Sequence, residues 1–176
     1  MKKFSKKFLG VAIAVLLLAT VTFAAPAAKP KATGDADWIN APDTYNQQAN
    51  LTFNAINTSA TGLGAKGSAI YTDANITYTM DVQWLKVAGK VAWFAGQVTS
   101  VTVTGNNPGC CIVGNWIFYK VVDNGEPGIY ADTISGEDLT VGEGIRDSEF
   151  AAGKVLAGVE PMSAPFVLNG GNLQVH

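Results

Sequence analysis

The chain has little of what most active sites need. It holds one histidine, His176, and one arginine, Arg146, in 176 residues. A Ser-His-Asp, Cys-His or His-metal centre would have to use an imidazole at the last position, where nothing later in the chain holds it as a general base. Cysteine is confined to the adjacent pair Cys110-Cys111, so no disulfide framework staples the fold. Charged residues make up 15% of the chain. Beyond the first seven residues no basic run occurs, which excludes the Lys/Arg surface that displaces counterions from nucleic acid. Residues 25–176 contain no apolar run long enough to span a bilayer and no sustained 3.6-residue period.

What is present begins with an export signal. Lys2, Lys3, Lys6 and Lys7 form a positive n-region, Phe8 to Ala19 an apolar h-region, and Thr22-Phe23-Ala24 offers small residues at the −3 and −1 positions of a signal-peptidase site. Residues 1–24 therefore read as a secretory signal peptide, too short in its apolar part for a membrane anchor, and no cysteine follows the site to carry a lipid. A secreted or cell-surface protein is expected, with no membrane contact after cleavage. Removing the segment takes four lysines with it and leaves eight basic groups against fourteen acidic ones, so the remaining chain is acidic. Its length suits one domain, which buries about 70% of its unfolded surface without help from disulfides.

Residues 25–34 (APAAKPKATG) are small, with two prolines and two lysines, and read as a flexible leader. Residues 35–176 read as one all-β domain. Leu51, Phe53 and Ala55 alternate with Asn50, Thr52 and Asn54. Ile76, Tyr78, Met80, Val82 and Trp84 share one face of a second run, with Asn75, Thr77, Thr79, Asp81 and Gln83 on the other. The apolar phase shifts at Leu85, as a β-bulge would make it. Ala88-Gly89-Lys90 reads as a hairpin turn into a strand from Val91, with a β-rich run on to Thr104. Trp116–Val122 and Asn172–His176 are further strands, the last expected to complete the sheet. Residues 147–157 are expected to form one or two helical turns, weakened by Gly153. Many short strands indicate an antiparallel β-barrel or β-sandwich.

Several segments occur together in a familiar order. They are Asp81 to Ala92 (DVQWLKVAGKVA), Val122 to Gly128 (VDNGEPG), Asp132 to Ser135 (DTIS) and Gly170 to His176 (GGNLQVH). In this order, over roughly residues 50–176, the chain resembles a family of small secreted prokaryotic β-domains with no assigned biochemical function. The resemblance implies an exported β-rich domain and no particular enzyme. Members of that family often carry a cysteine where Trp84 stands, with a partner nearer the C-terminus. Neither is present here, and Cys110-Cys111 sits in what resembles an inserted loop.

Four groups of residues are candidates for chemistry. Asp123, Asn124, Glu126 and Asp132 gather oxygen donors suited to calcium, though at no EF-hand spacing, and the same residues also suit a tight turn. Cys110 and Cys111 are candidates for a strained vicinal disulfide, an intermolecular crosslink or a pair of thiols; neighbouring α-carbons lie about 3.8 Å apart, below the usual disulfide span. Trp38, Trp84 and Trp93 are candidates for stacking on a sugar or other ring. Trp84 and Trp93, with Tyr78, Phe94, Trp116, Phe118 and Tyr119, suit a core better than a platform, and Trp38 suits an exposed platform or a staple. Asn50, Asn57 and Asn75 begin glycosylation sequons, which a chain this rich in Asn, Ser and Thr yields by chance. Scattered acids leave a carboxylate-pair hydrolase open. The expected function is a non-enzymatic extracellular module that contacts a protein, a polymer or itself and needs no cofactor beyond possible calcium. A small-ligand or glycan-binding barrel is the alternative and a carboxylate-dependent hydrolase the second.

Overall fold

In a computed structural model the described residues are 27–39, 48–105, 111–125, 131–139 and 147–176. They form one antiparallel sheet of nine strands and one helix. The strands are β1 (Lys31–Ile39), β2 (Gln48–Asn57), β3 (Ala65–Thr72), β4 (Ile76–Ala88), β5 (Val91–Val103), β6 (Trp116–Val122), β7 (Thr133–Asp138), β8 (Phe166–Val167) and β9 (Gly170–Val175); the helix α1 is Ser148–Ala157. The order across the sheet is β8-β7-β6-β5-β4-β3-β2-β1-β9, a meander whose last strand returns to pair with its first. The sheet curls into a half-barrel. Residues 166–175 step between its two ends: β8 pairs with β7, the Leu168 amide donates to Asp132 O at 3.0 Å, and the Asn169 amide donates to Asp37 O at 3.0 Å. The expected C-terminal strand thus completes the sheet, two residues earlier than Asn172.

The leader expected over residues 25–34 is corrected in its second half, because Lys31–Gly34 open β1 and pair with both β2 and β9. Small residues suit this position. Ala32 and Ala36 are fully buried, and a Cβ on Gly34 would stand 2.6 Å from Leu173 Cδ2 and 2.9 Å from Asn172 O. A segment without large side chains looks coreless in sequence, yet here it lets β2 and β9 close in from either side.

Two irregularities between β4 and β5 set which side chains face inward. The register shifts between Thr79 and Met80, and again between Val82 and Trp84. At the second, Gln83 is the extra residue, so Val82 and Leu85 are both inward and buried. Trp84 is turned to the outer face, which corrects its expected place beside Tyr78 and Met80. A glycine sits opposite: a Cβ on Gly96 would lie 2.5 Å from Asp81 O.

The helix covers the outer face of β4, β5 and β6. Asp147 caps it by accepting from the Phe150 amide at 2.9 Å, and Gly158 ends it with φ 65°. Ten residues exceed the expected one or two turns. Ala151 and Val155 are its buried side chains, packed with Ala95, Trp116 and Phe118. A stripe that narrow shows little periodicity in sequence. Tertiary contacts hold the helix: Trp84 Nε1 donates to Ser148 Oγ at 3.1 Å, Lys86 Nζ to Leu156 O at 2.8 Å, and Lys154 Nζ to both Glu137 carboxylate oxygens at 2.8 Å.

Candidate functional site

The inner face is filled through its middle. Phe53 and Phe94 stack with ring centroids 4.8 Å apart, and Phe94 stacks on Tyr119 at 5.5 Å. Towards the end of the half-barrel where β1, β3 and β7 finish and β4 and β6 begin, a cavity of about 300 Å³ opens. Six of the nine strands place side chains on its wall, among them Trp38 from β1, Tyr71 from β3, Ile76 and Tyr78 from β4, Ile117 and Tyr119 from β6, Ile134 from β7 and Phe166 from β8. The rings run in sequence around the wall. Phe166 stacks on Trp38 at 6.0 Å, Trp38 meets Tyr71 at 5.9 Å and a 51° tilt, and Tyr71 stacks on Tyr78 at 4.9 Å.

Polar groups interrupt this wall at fixed places: three tyrosine hydroxyls, Asp73, Ser135, Glu137, Asp138 and Ser163. The Tyr78 and Tyr119 hydroxyls hydrogen-bond to each other, both rings being buried. Burial, reinforced by Tyr119 and then by Cys111 nearby, pushes the Tyr78 phenol well above its usual range, so it stays protonated. The Tyr71 hydroxyl donates to Asp73 Oδ2 at 2.8 Å. Asp73 Oδ1 accepts from the Asn75 and Ile76 amides at 2.8 and 2.9 Å, which holds the turn between β3 and β4. Cys111 is buried on the wall with φ 59°, and its amide donates to Asp138 Oδ2 at 2.9 Å. Glu137 is held by Lys154 in an ion pair. The described lining residues include three carboxylates and no lysine, arginine or histidine.

The sequence candidates scatter around this site. Trp38 is buried in the cavity wall, which corrects its reading as an exposed platform. Trp84 and Trp93 lie on the opposite face of the sheet, half-buried beside α1 and the segment after it; Trp93 Nε1 donates to Val159 O at 3.1 Å, with the Lys86 ammonium 5.4 Å from its ring centroid. The turn after β6 lies at the other end of the half-barrel. There Asp123 Oδ1 accepts from the Gly125 amide at 2.9 Å and Oδ2 from the Val175 amide at 3.1 Å. Asp132 Oδ1 accepts from the Asn124 amide at 2.8 Å, and Asn124 Nδ2 donates to Ala131 O at 2.7 Å. These groups join the β6–β7 turn to β9, and among the described residues no group of three or more metal-ligating side chains converges. Glu126, Cys110 and the signal segment lie outside the described residues. His176 pairs through its backbone with Lys31, at the end of β1 away from Trp38.

Sequence reasoning missed Tyr71, Tyr78, Tyr119 and Phe166 as a site and read Tyr78 and Tyr119 as core. The signal was tyrosine in place of phenylalanine at inward positions, since a buried phenol needs a partner. Comparison with family models, with curated proteins and with solved structures gives no match.

Proposed function

We propose that this is an exported, non-enzymatic β-domain that holds a small, largely apolar molecule in the open end of its half-barrel. The cavity carries the reading: about 300 Å³ with aromatic and aliphatic walls and a few fixed polar groups. Binding sites for small molecules are concave and mostly apolar in this way, and this one is at the small end of their size range. A purely structural module has no use for unfilled space beside five aromatic rings, because empty volume forfeits packing.

A carboxylate-dependent hydrolase is supported less well. Glu137 is paired with Lys154, both oxygens of Asp73 accept hydrogen bonds from Tyr71 and the β3–β4 turn, and Asp138 accepts from the Cys111 amide. Export rests on residues 1–24, and the acidic balance of the rest argues against nucleic acid or anionic lipid as the partner.

Native mass spectrometry of the protein purified from its own host tests the proposal. A mass above that of residues 25–176 that vanishes on denaturation is the expected result. The bare mass, together with tryptophan fluorescence that no apolar small molecule perturbs, would overturn it.

A further inference from the structure

The cavity's chemistry narrows what it takes. We propose that the ligand is an uncharged, flat ring compound with one oxygen function, its ring against Trp38, Tyr71 and Phe166 and its oxygen on the Tyr78–Tyr119 hydroxyl pair. This rests on the cavity being a small-ligand site.

Three observations converge. The first is the wall. Trp38, Tyr71 and Phe166 form a continuous run of rings, and Ile76, Ile117 and Ile134 complete an apolar surface. Flat rings match such a surface by stacking and edge contacts. With about 300 Å³ available, one or two fused rings fit and a long acyl chain does not.

The second is the hydroxyl pair. A phenol has one donor and two acceptor sites. Tyr78 is buried, and Tyr119 is its hydrogen-bond partner among the described residues. The pair can reverse, Tyr78 donating to Tyr119 or accepting from it, so it offers a ligand oxygen either a hydrogen or a lone pair. An alcohol, a phenol or a ketone is served equally. A plain hydrocarbon would leave the remaining capacity of the buried Tyr78 hydroxyl unmatched, and unmade hydrogen bonds at buried groups are costly.

The third is charge. No described lining residue is cationic, and the Asp73 carboxylate stands on the wall with hydrogen-bond donors but no ion-pair partner among the described residues. A carboxylate or phosphate on the ligand would stand near like charge, with no cationic lining residue among the described ones.

The test uses the purified protein with 2-naphthol, naphthalene and 2-naphthoate, following the indole N–H resonances by 1H–15N NMR. 2-Naphthol should shift the Trp38 indole signal and leave those of Trp84 and Trp93, on the other face, in place. Its Kd should be up to about tenfold below those of naphthalene and 2-naphthoate, the size of one well-made hydrogen bond. Tyr78→Phe together with Tyr119→Phe removes both hydroxyls and should bring naphthol to within about twofold of naphthalene while naphthalene binding is kept. Should the double variant fold poorly, Tyr78→Phe alone should narrow the gap between naphthol and naphthalene. Equal affinity of naphthol and naphthalene for the unaltered protein, or tightest binding of naphthoate, overturns this ligand class and leaves the cavity as a binding site. If none of the three moves the Trp38 signal, the binding-site reading falls as well.

Discussion

The interior of the half-barrel is built in two ways. Its middle is hydrocarbon: Phe53 and Phe94 stack, and Leu51, Met80 and Leu85 around them are fully buried. Its open end uses Trp38, Tyr71, Tyr78 and Tyr119, with Asp73, Cys111 and Asp138 at the same wall. Both regions use inward positions of one sheet, and β4 supplies Met80 and Leu85 to the middle and Tyr78 to the open end, so alternation does not distinguish them. The polar tips do. A phenylalanine needs only contact, and in the middle Phe53 and Phe94 are buried against each other. A tyrosine also needs a partner for its oxygen, and at the open end these partners are other hydroxyls and carboxylates arranged around a cavity. A stable core and a potential site thus lie within one continuous aromatic run, joined where Phe94 stacks on Tyr119.

The largest expected effect comes from removing what draws the two ends of the sheet together. Deleting residues 172–176 takes Leu173 and Val175 from the core and leaves β1 an open edge. The melting temperature should fall by about 10 °C or more, measured by circular dichroism; an unchanged melt would show that β9 is not part of the framework. Next is the contrast itself. Phe94→Ala should cost about 3–5 kcal/mol in urea denaturation, because it opens a hole in the packed middle. Tyr71→Ala, at a half-buried ring beside space that already exists, should cost clearly less. Equal losses at the two positions would erase the distinction between middle and mouth.

A smaller effect sharpens it through pH. The Tyr78 phenol is held above its usual value in the folded protein and titrates near 10 in the unfolded chain. Its contribution is therefore fully present below about pH 10 and is lost as pH rises toward the folded value, since the unfolded state releases the proton first. Each pH unit in that window removes up to about 1.4 kcal/mol. Tyr78→Phe should lose stability less steeply than the unaltered protein between about pH 9.5 and 11, compared by urea midpoints. Parallel slopes would mean that Tyr78 ionises as readily in the fold as outside it. The smallest effect tests the helix. Gly153 lies inside α1 with open space around its would-be Cβ, so Gly153→Ala should raise stability by about 0.5–1 kcal/mol. A loss would mean the position needs glycine for a reason outside helix propensity.

Much of the fold could be read from residue pattern, and the site much less. Strand alternation was plain in Leu51-Phe53-Ala55 and in Ile76 to Val82, and the Gly89-Lys90 hairpin turn is present between Ala88 and Val91. The bulge was visible as a phase shift at Leu85, but its extra residue is Gln83, so Trp84 was placed on the wrong face. One residue of slip reverses every side chain beyond it, which is why a small register error became a wrong site residue. The first strand went unseen because a small-residue strand squeezed between β2 and β9 has none of the bulky alternation that marks strands elsewhere. Barrel against sandwich could not be separated, since either shape buries one face of each strand.

By itself the sequence determined that the chain is antiparallel β with short turns, acidic beyond its first residues and without a local catalytic motif. Those properties follow from near-neighbour patterns: two-residue alternation, turn chemistry and the count of charges. Only the tertiary structure decided which of the many inward aromatics meet around a cavity. Trp38, Tyr78, Tyr119 and Phe166 follow one another along the chain at spacings of 40, 41 and 47 residues. They converge because the curl of a nine-stranded sheet returns β8 and β9 to β1. Curvature and closure are sums over every strand pair and both bulges, so no single segment carries them.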